Sequence, residues 1–226
     1  GDRRLYLVRH GETEWNVEHK IQGRTDNPLN SVGRAQANAL AEFLSREPID
    51  IVASSNLQRA VATANAVATK HPDARRVVDG RFAEMSFGSL EGSVISEIQS
   101  TYQDYVASWR AGNNARVWPD GGESPDDVAA RGIAGLTALG VLSNVGDEDA
   151  QAARRVLVVA HGRFNKIVIA ALQGDVSRAS DINQGNTCVN VLDVTPEGRV
   201  DVRALDVRDH MPSAQDQAPK ALAESK

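Results

Sequence analysis

Two of the five histidines close short apolar runs in the same way. Leu5-Tyr6-Leu7-Val8 leads into Arg9-His10-Gly11, and Val156 to Ala160 leads into His161-Gly162. Each run has the length and bounded apolarity of a buried strand. At its end stands an imidazole, preceded in the first case by a guanidinium, and then a glycine that frees the backbone to turn. Such a strand sets reactive groups where open α/β sheets keep their sites. A strand followed by a polar loop that happens to hold a histidine is the plainer reading, and the first stretch alone does not decide between them. Arg59 is a third candidate, in the first turn of an expected helix and off its apolar stripe, where a cation opposes the positive end of the dipole. The strand before that helix is expected to be parallel to the first, which would bring Arg59 beside His10.

Patterning predicts the elements that must position these groups. Gly11 to Asn30 is a long polar loop, anchored by Trp15 and Ile21 and turned at Asn27-Pro28. Asn30 or Ser31 caps a helix to about Arg46, with Val32, Ala35, Ala39, Leu40 and Phe43 as its stripe. Ile49 to Ala53 is a second strand, and Ser54, Ser55 or Asn56 caps a helix carrying Leu57, Ala60, Val61, Ala64 and Ala68 on one face. A third strand spans Arg76 to Asp79, followed by a Gly-containing loop over Phe82 to Glu91 and an aromatic-rich helix from Ser93 to about Trp109. Gly112 to Gly122 reads as a loop or lid rim. Ser124-Pro125-Asp126-Asp127 starts a helix that runs to about Leu142, and Asp147-Glu148-Asp149 is a solvated turn. A helix over Asn165 to Leu172 follows the second histidine. Thr187 to Val194 and Val200 to Leu205 form a hairpin around Pro196-Glu197-Gly198. The alternation argues for a single α/β domain with a largely parallel sheet over residues 1–211, and a disordered tail over 212–226 that is poor in large apolar side chains.

The totals narrow the classes. A chain of 226 residues, 41% hydrophobic and 24% charged, is ample for a sizeable core. A net charge of −5 speaks against nucleic acid or a membrane surface as partner, so an anion site must come from a local basic cluster. The one cysteine, Cys188, permits no internal disulfide and no cysteine-based zinc site; it reads as a core thiol in a reducing, cytoplasmic setting. No apolar run approaches the ~18 residues needed to span a bilayer. No signal-peptide pattern precedes Leu5, and a start at Gly1 leaves open a native segment before it. His19, His71 and His210 read as loop, helix-end and structural residues, and Trp109 and Trp118 as core.

The ordered set of motifs resembles the histidine phosphatase superfamily, the phosphoglycerate mutase-like proteins. It begins with Leu7-Val8-Arg9-His10-Gly11-Glu12-Thr13, Trp15-Asn16, Gln22-Gly23, Pro28-Leu29 and Gly33 with Gln36-Ala37. It continues through Ser55-x-Leu57-x-Arg59-Ala60-x-x-Thr63-Ala64, Glu84 with Gly88, Glu91-Gly92, Gly121-Gly122-Glu123-Ser124 and Val159-Ala160-His161-Gly162. The likeness spans roughly residues 5 to 205 and implies a three-layer α/β/α fold with a mostly parallel central sheet and an antiparallel closing hairpin. It implies catalytic roles for His10, Glu84, His161, Arg9 and Arg59. Phosphate contacts would come from Arg9, Asn16, Gln22, Gly23, Arg59, His161 and Gly162.

Under the resemblance His10 is a nucleophile that holds a phosphoryl group, splitting one transfer into two. Arg9 and Arg59 offer planar forks to phosphate oxygens, and His161 a further donor. Glu84 would protonate the leaving oxygen and later take a proton from water; Phe82, Met85 and Phe87 offer the apolar wall that helps it keep that proton. Taken alone, Glu84 reads as a solvated loop carboxylate and His161 as a satisfied core histidine; the ordered set reverses both. No metal is called for.

Mutases of this family carry a longer insertion after the acid/base glutamate, with Arg-His-Tyr beside it. Here the chain reads Glu84-Met85-Ser86-Phe87-Gly88-Ser89-Leu90-Glu91-Gly92, which resembles the phosphatase-type branch. The expectation is a metal-independent phosphomonoesterase acting on a small phosphorylated metabolite. The alternative is a phosphoglycerate mutase that needs 2,3-bisphosphoglycerate as cofactor, and a non-catalytic binding protein ranks last. Arg163-Phe164-Asn165-Lys166 departs from the small or aliphatic residues usual after His-Gly, as a contact for an acidic substrate tail or as an exposed helix start. The oligomeric state stays open, a homodimer being one option.

Overall fold

Leu5, Tyr6, Leu7 and Val8 are all buried, because helices cover both faces of the sheet to which they belong. The computed structural model describes residues 2–142 and 155–211. The expected turn at Asp147-Glu148-Asp149 and the tail over 212–226 lie outside the described residues. The elements in chain order are β1 (Arg3–Arg9), α1 (Glu14–Val17), α2 (Ser31–Phe43), β2 (Ile51–Ser54), α3 (Gln58–Ala68) and β3 (Arg75–Val78). They continue with α4 (Gln99–Arg110), α5 (Pro125–Ala138), β4 (Arg155–Ala160), α6 (Gly162–Leu172), β5 (Val189–Val194) and β6 (Val200–Val207). The strand order is β3-β2-β4-β1-β5-β6. Strands β1 to β4 pair in parallel, while β5 runs antiparallel to both β1 and β6.

Strand alternation divides the core. Leu5, Leu7, Val156 and Val158 face Phe82, Trp118 and the α6 residues Phe164 and Ile167. Tyr6, Val8, Leu157 and Val159 face Leu40 of α2 and Ala60 and Ala64 of α3. The helices that follow β1 and β4 therefore leave toward opposite faces, and a crevice opens at the carboxyl ends of these two neighbours. The register pairs Arg9 with Ala160, so His10 and His161 emerge side by side.

Several expectations change in detail. On α2 the buried face is Gly33, Ala37, Leu40 and Ala41, whereas Val32 and Phe43 are exposed. Backbone contact sets this rotation: a Cβ on Gly33 would lie 2.1 Å from the Glu12 carbonyl oxygen. On α3 the buried face includes Arg59, so that residue is not off the packed side. No serine side chain caps α3; its first residue is Leu57-adjacent Gln58, whose N–H is accepted by Asp26 Oδ1 at 2.8 Å. β2 is parallel to β1 as expected, with β4 between them. The expected helix from Ser93 divides into a 3-10 turn over Ile95–Ile98 and α4. α2 and α5 stop at Phe43 and Ala138, short of Arg46 and Leu142. α6 begins at Gly162, ahead of Asn165.

Leu157, on central β4, is 0% exposed. Leu157→Ala is expected to lower stability by about 2–5 kcal/mol, through lost transfer free energy and a cavity that packed neighbours fill only in part. Urea denaturation monitored by far-UV circular dichroism measures this; a loss under about 1 kcal/mol contradicts the packing described.

Candidate active site

His10 and His161 are 2% and 0% exposed, with ring centroids 5.1 Å apart. His10 Nδ1 lies 2.6 Å from the Gly11 carbonyl oxygen. A carbonyl only accepts, so Nδ1 carries the hydrogen and Nε2 keeps a lone pair. Burial, followed by the Arg59 and Arg9 charges, holds the His10 pKa well below the usual imidazole range. The ring is therefore neutral at neutral pH, with its Nε2 lone pair free. His161 is held neutral by burial and then by Arg59. Its Nε2 lies 2.8 Å from Ser55 Oγ, which already accepts the Leu57 N–H at 3.1 Å. A serine hydroxyl donates once and accepts twice, so this contact engages Nε2 in either tautomer, while Nδ1 is buried without a hydrogen-bond partner.

Two guanidiniums complete the inner ring. Arg59 is 1% exposed, and its ends donate to the carbonyls of Thr25 at 2.6 Å and Gly23 at 2.7 Å. Arg9 donates to the Gln184 carbonyl at 2.6 Å. In both, Nε is buried and unpartnered. Burial lowers both pKa values, that of Arg59 to about 10, yet each remains a cation at neutral pH. Gly162 belongs to this ring by its lack of a side chain, since a Cβ there would lie 3.2 Å from Arg9 Nε.

Glu84 reaches the site from the far side of the sheet end. Its Oε1 accepts the N–H groups of Met85 and Phe164, each at 2.8 Å, and Oε2 accepts that of Arg163 at 3.1 Å. Its carboxylate thus occupies the start of α6, where the dipole favours negative charge, and this explains the early start of that helix. The apolar wall is present, with Phe82 and Met85 0% and Phe87 6% exposed. The Glu84 carbonyl is held by Arg24 Nε at 2.7 Å and by Arg131 at 3.1 Å. Glu123 joins both arginines and also accepts the Ser86 N–H at 2.8 Å. Glu91 secures the same loop by accepting the N–H groups of Phe87 and Thr25.

The loop after β1 supplies the remaining wall. Asn16 Oδ1 accepts from Thr13 N–H at 3.0 Å, which leaves its amide nitrogen for the cavity. Gln22 Oε1 accepts from the Thr13 hydroxyl at 2.8 Å. Gly23, at φ +53°, turns its carbonyl to Arg59. These residues line a cavity of about 190 Å³ with Arg9, His10, Arg59, Glu84, Gly162 and Lys166. From the segment after Glu84, it is Phe87, Ile95 and Tyr102 that reach this cavity. Ile95 and Tyr102 also border a groove of about 780 Å³ along α4, lined by Val94, Gln99, Val106 and Arg110. The groove is larger, but the smaller cavity holds the reactive groups. Among the described residues no cluster of three His, Cys, Asp or Glu could hold a metal ion.

Sequence reasoning did not find Arg24, Arg131, Ser55 or Gln184 as supports. Ser55 and Glu123 stood within quoted motifs, a partial signal, whereas the Gln184 contact uses a main-chain carbonyl and has no residue-type signature. The aromatic excess around Tyr102 was the legible hint of the groove. His71, His210 and Cys188 keep structural roles: His71 meets the Leu44 carbonyl, His210 meets Thr187, and burial pushes the Cys188 thiol up to about 12.

Two predictions arise from the paired imidazoles. Both stay neutral when folded, while the unfolded chain takes up protons near pH 6.5. Their contribution is present above that pH and is lost as pH falls through it, with a limiting slope of about 1.4 kcal/mol per pH unit for each histidine. Denaturation at pH 7.5, 6.5 and 5.5 should show a steeper loss in wild type than in the His10→Gln/His161→Gln double variant; equal slopes refute the assignment. Ser55→Ala should cost about 1–3 kcal/mol by stranding buried polar groups. It should also move the His161 ring-nitrogen signals in NMR, and unchanged shifts contradict the Ser55–His161 hydrogen bond.

Comparison with known proteins places this geometry. The profile of the histidine phosphatase superfamily (branch 1) matches residues 5–206. A glucosyl-3-phosphoglycerate phosphatase of Mycolicibacterium vanbaalenii is 36% identical over 172 residues, 76% of this chain and 75% of that protein. A metal-independent phosphoserine phosphatase of Arabidopsis thaliana is 35% identical over 193 residues, 83% of this chain and 75% of that protein. The solved structure of a mycobacterial glucosyl-3-phosphoglycerate phosphatase with VO3 superposes with a TM-score of 0.76 at 31% identity, covering 91% of this chain and 100% of that one. With two buried histidines, a buried Arg59 and a half-buried Arg9 at the ends of β1, β4 and α3, the chain belongs to branch 1 of the histidine phosphatase superfamily.

Proposed function

We propose that this protein hydrolyses phosphomonoesters through a phosphohistidine on His10. The observation that carries the reading is the pair of unpartnered buried guanidinium nitrogens, Arg9 Nε and Arg59 Nε, on residues grouped around an imidazole with a free Nε2. Donors buried without partners are unfavourable unless an anion completes them, and a phosphoryl group has three equatorial oxygens to receive them.

In the first step His10 Nε2 attacks phosphorus as the ester P–O bond breaks, and the departing alkoxide takes a proton from Glu84. Oε1 of Glu84 accepts two N–H groups and Oε2 one, so Oε2 is the oxygen with capacity to carry that proton. In the second step water loses a proton to Glu84 and attacks phosphorus, the P–N bond breaks, and inorganic phosphate leaves with His10 neutral again. Arg9, Arg59 and His161 hold the equatorial oxygens through both steps, aided by the Asn16 amide, while Gln22 and Gly23 shape the wall and secure Arg59. Catalysis then rests on positioned charge, and no metal ion or 2,3-bisphosphoglycerate enters a step. The substrate is a small-molecule phosphomonoester. Residues 1–211 act as one domain. No helix among the described residues is long and apolar enough to cross a membrane.

The two phosphatases named above support hydrolysis over isomerisation, as does the short segment after Glu84. The test is incubation with 3-phosphoglycerate, with and without 2,3-bisphosphoglycerate. Phosphate release without isomerisation is expected, and isomerisation that depends on the bisphosphate overturns the reading. His10→Ala should lower turnover at least a thousandfold, and acid-labile phosphate trapped on wild type should map to His10 by mass spectrometry. Label on another residue refutes the nucleophile.

A further inference from the structure

Beyond the groups used in that chemistry, the cavity wall holds one more cation. Lys166, on the first turns of α6, lines the cavity beside Arg9, Glu84 and Gln184. It is partly buried, and no hydrogen bond or ion pair joins it to another described residue. The charged groups that act on it are Arg163 on its own helix, Arg9 on β1, Glu84 on the loop after β3 and Asp206 on β6. Both acids are engaged elsewhere. Glu84 accepts three peptide N–H groups, and Asp206 accepts the Gly185 N–H at 2.8 Å and pairs with Arg208 at 3.1 Å.

The other outer cations are committed as well. Lys20 pairs with Glu18, and Arg163 donates to Ser180 Oγ and the Tyr102 hydroxyl. A phosphoryl dianion matches the two charges of Arg9 and Arg59, which leaves Lys166 as a third positive charge with donors to spare. A lone ammonium half-removed from water is unfavourable unless its ligand brings the counter-charge. The need is for one more anionic group on the substrate, close to the ester oxygen.

We propose that Lys166 reads a carboxylate on the leaving group, so that phosphomonoesters of hydroxy acids are preferred over those of neutral alcohols. This rests on the hydrolase reading above and adds the substrate class. Burial, then the Arg163 and Arg9 charges, lower the Lys166 pKa to about 8. The lysine is therefore charged at pH 7 and largely neutral by pH 9, and the preference should fade across that interval.

The experiment compares 3-phosphoglycerate with glycerol 3-phosphate, which share a three-carbon skeleton and differ by a carboxylate in place of a hydroxymethyl group. For wild type at pH 7 the ratio of kcat/KM values should favour the acid at least tenfold and approach unity by pH 9. Lys166→Met should lower the ratio at pH 7 at least tenfold and abolish its pH dependence. Lys166→Arg should keep the preference and lose the fade, which separates a charge contact from a packing role. A wild-type ratio near one, or a ratio unchanged in Lys166→Met, overturns the assignment. If wild type hydrolyses neither ester, the hydrolase reading fails, and calorimetric binding of the same two esters to wild type and Lys166→Met then judges Lys166 by the same tenfold criterion.

Discussion

Positive charge buried without carboxylate partners is the constraint on which this structure depends. Taking a guanidinium out of water costs several kcal/mol even after relaxation. Among the described residues Arg59 forms no ion pair and Arg9 none, and both are compensated by main-chain carbonyls of Gly23, Thr25 and Gln184. Carbonyl dipoles satisfy part of each fork without neutralising it, so the positive field stays directed at His10. That field, together with burial, keeps both imidazoles neutral. A carboxylate in place of any of these carbonyls would quench the site. The long loop after β1 is thus ordered for a reason: it delivers Gly23 and Thr25 to Arg59.

The carboxylate of the site is held by the opposite strategy. Glu84 takes its stability from N–H donors at the start of α6, and Arg24, Arg131 and Glu123 fix its main chain from outside the cavity. Arg131 and Glu123 are mutually paired and mostly shielded, which makes this clamp firmer than an exposed ion pair. The same segment then turns through Phe87 and Ile95 into α4, so one stretch of chain carries Glu84 and borders both the cavity and the groove along α4.

The candidate residues were legible in the sequence, because residue types at strand ends and the order of short motifs are local properties. His10, Arg9, Arg59, Glu84, Asn16, Gln22, Gly23 and Gly162 line the cavity, and His161 does not line it but sets its ring 5.1 Å from that of His10. Helix faces were less legible. The α2 stripe built on Val32 and Phe43 failed because close backbone contact at Gly33 rotates the helix. Arg59 looked peripheral on α3 because its burial is offset by carbonyls far away in sequence.

What the sequence alone determined is the inventory: two strand-end histidines, two arginines, one glutamate and an alternating α/β order, each encoded by short-range pattern. Tertiary structure decided the states of those groups. Which nitrogen of His10 is free depends on the Gly11 carbonyl, and the partner of His161 Nε2 is Ser55, 106 residues away. Whether Lys166 is a bland helix residue or a spare charge depends on Glu84 and Asp206 being engaged elsewhere. Protonation, tautomer and residual charge are sums over neighbours in space, and the chain brings those neighbours together only when β1 pairs with β4.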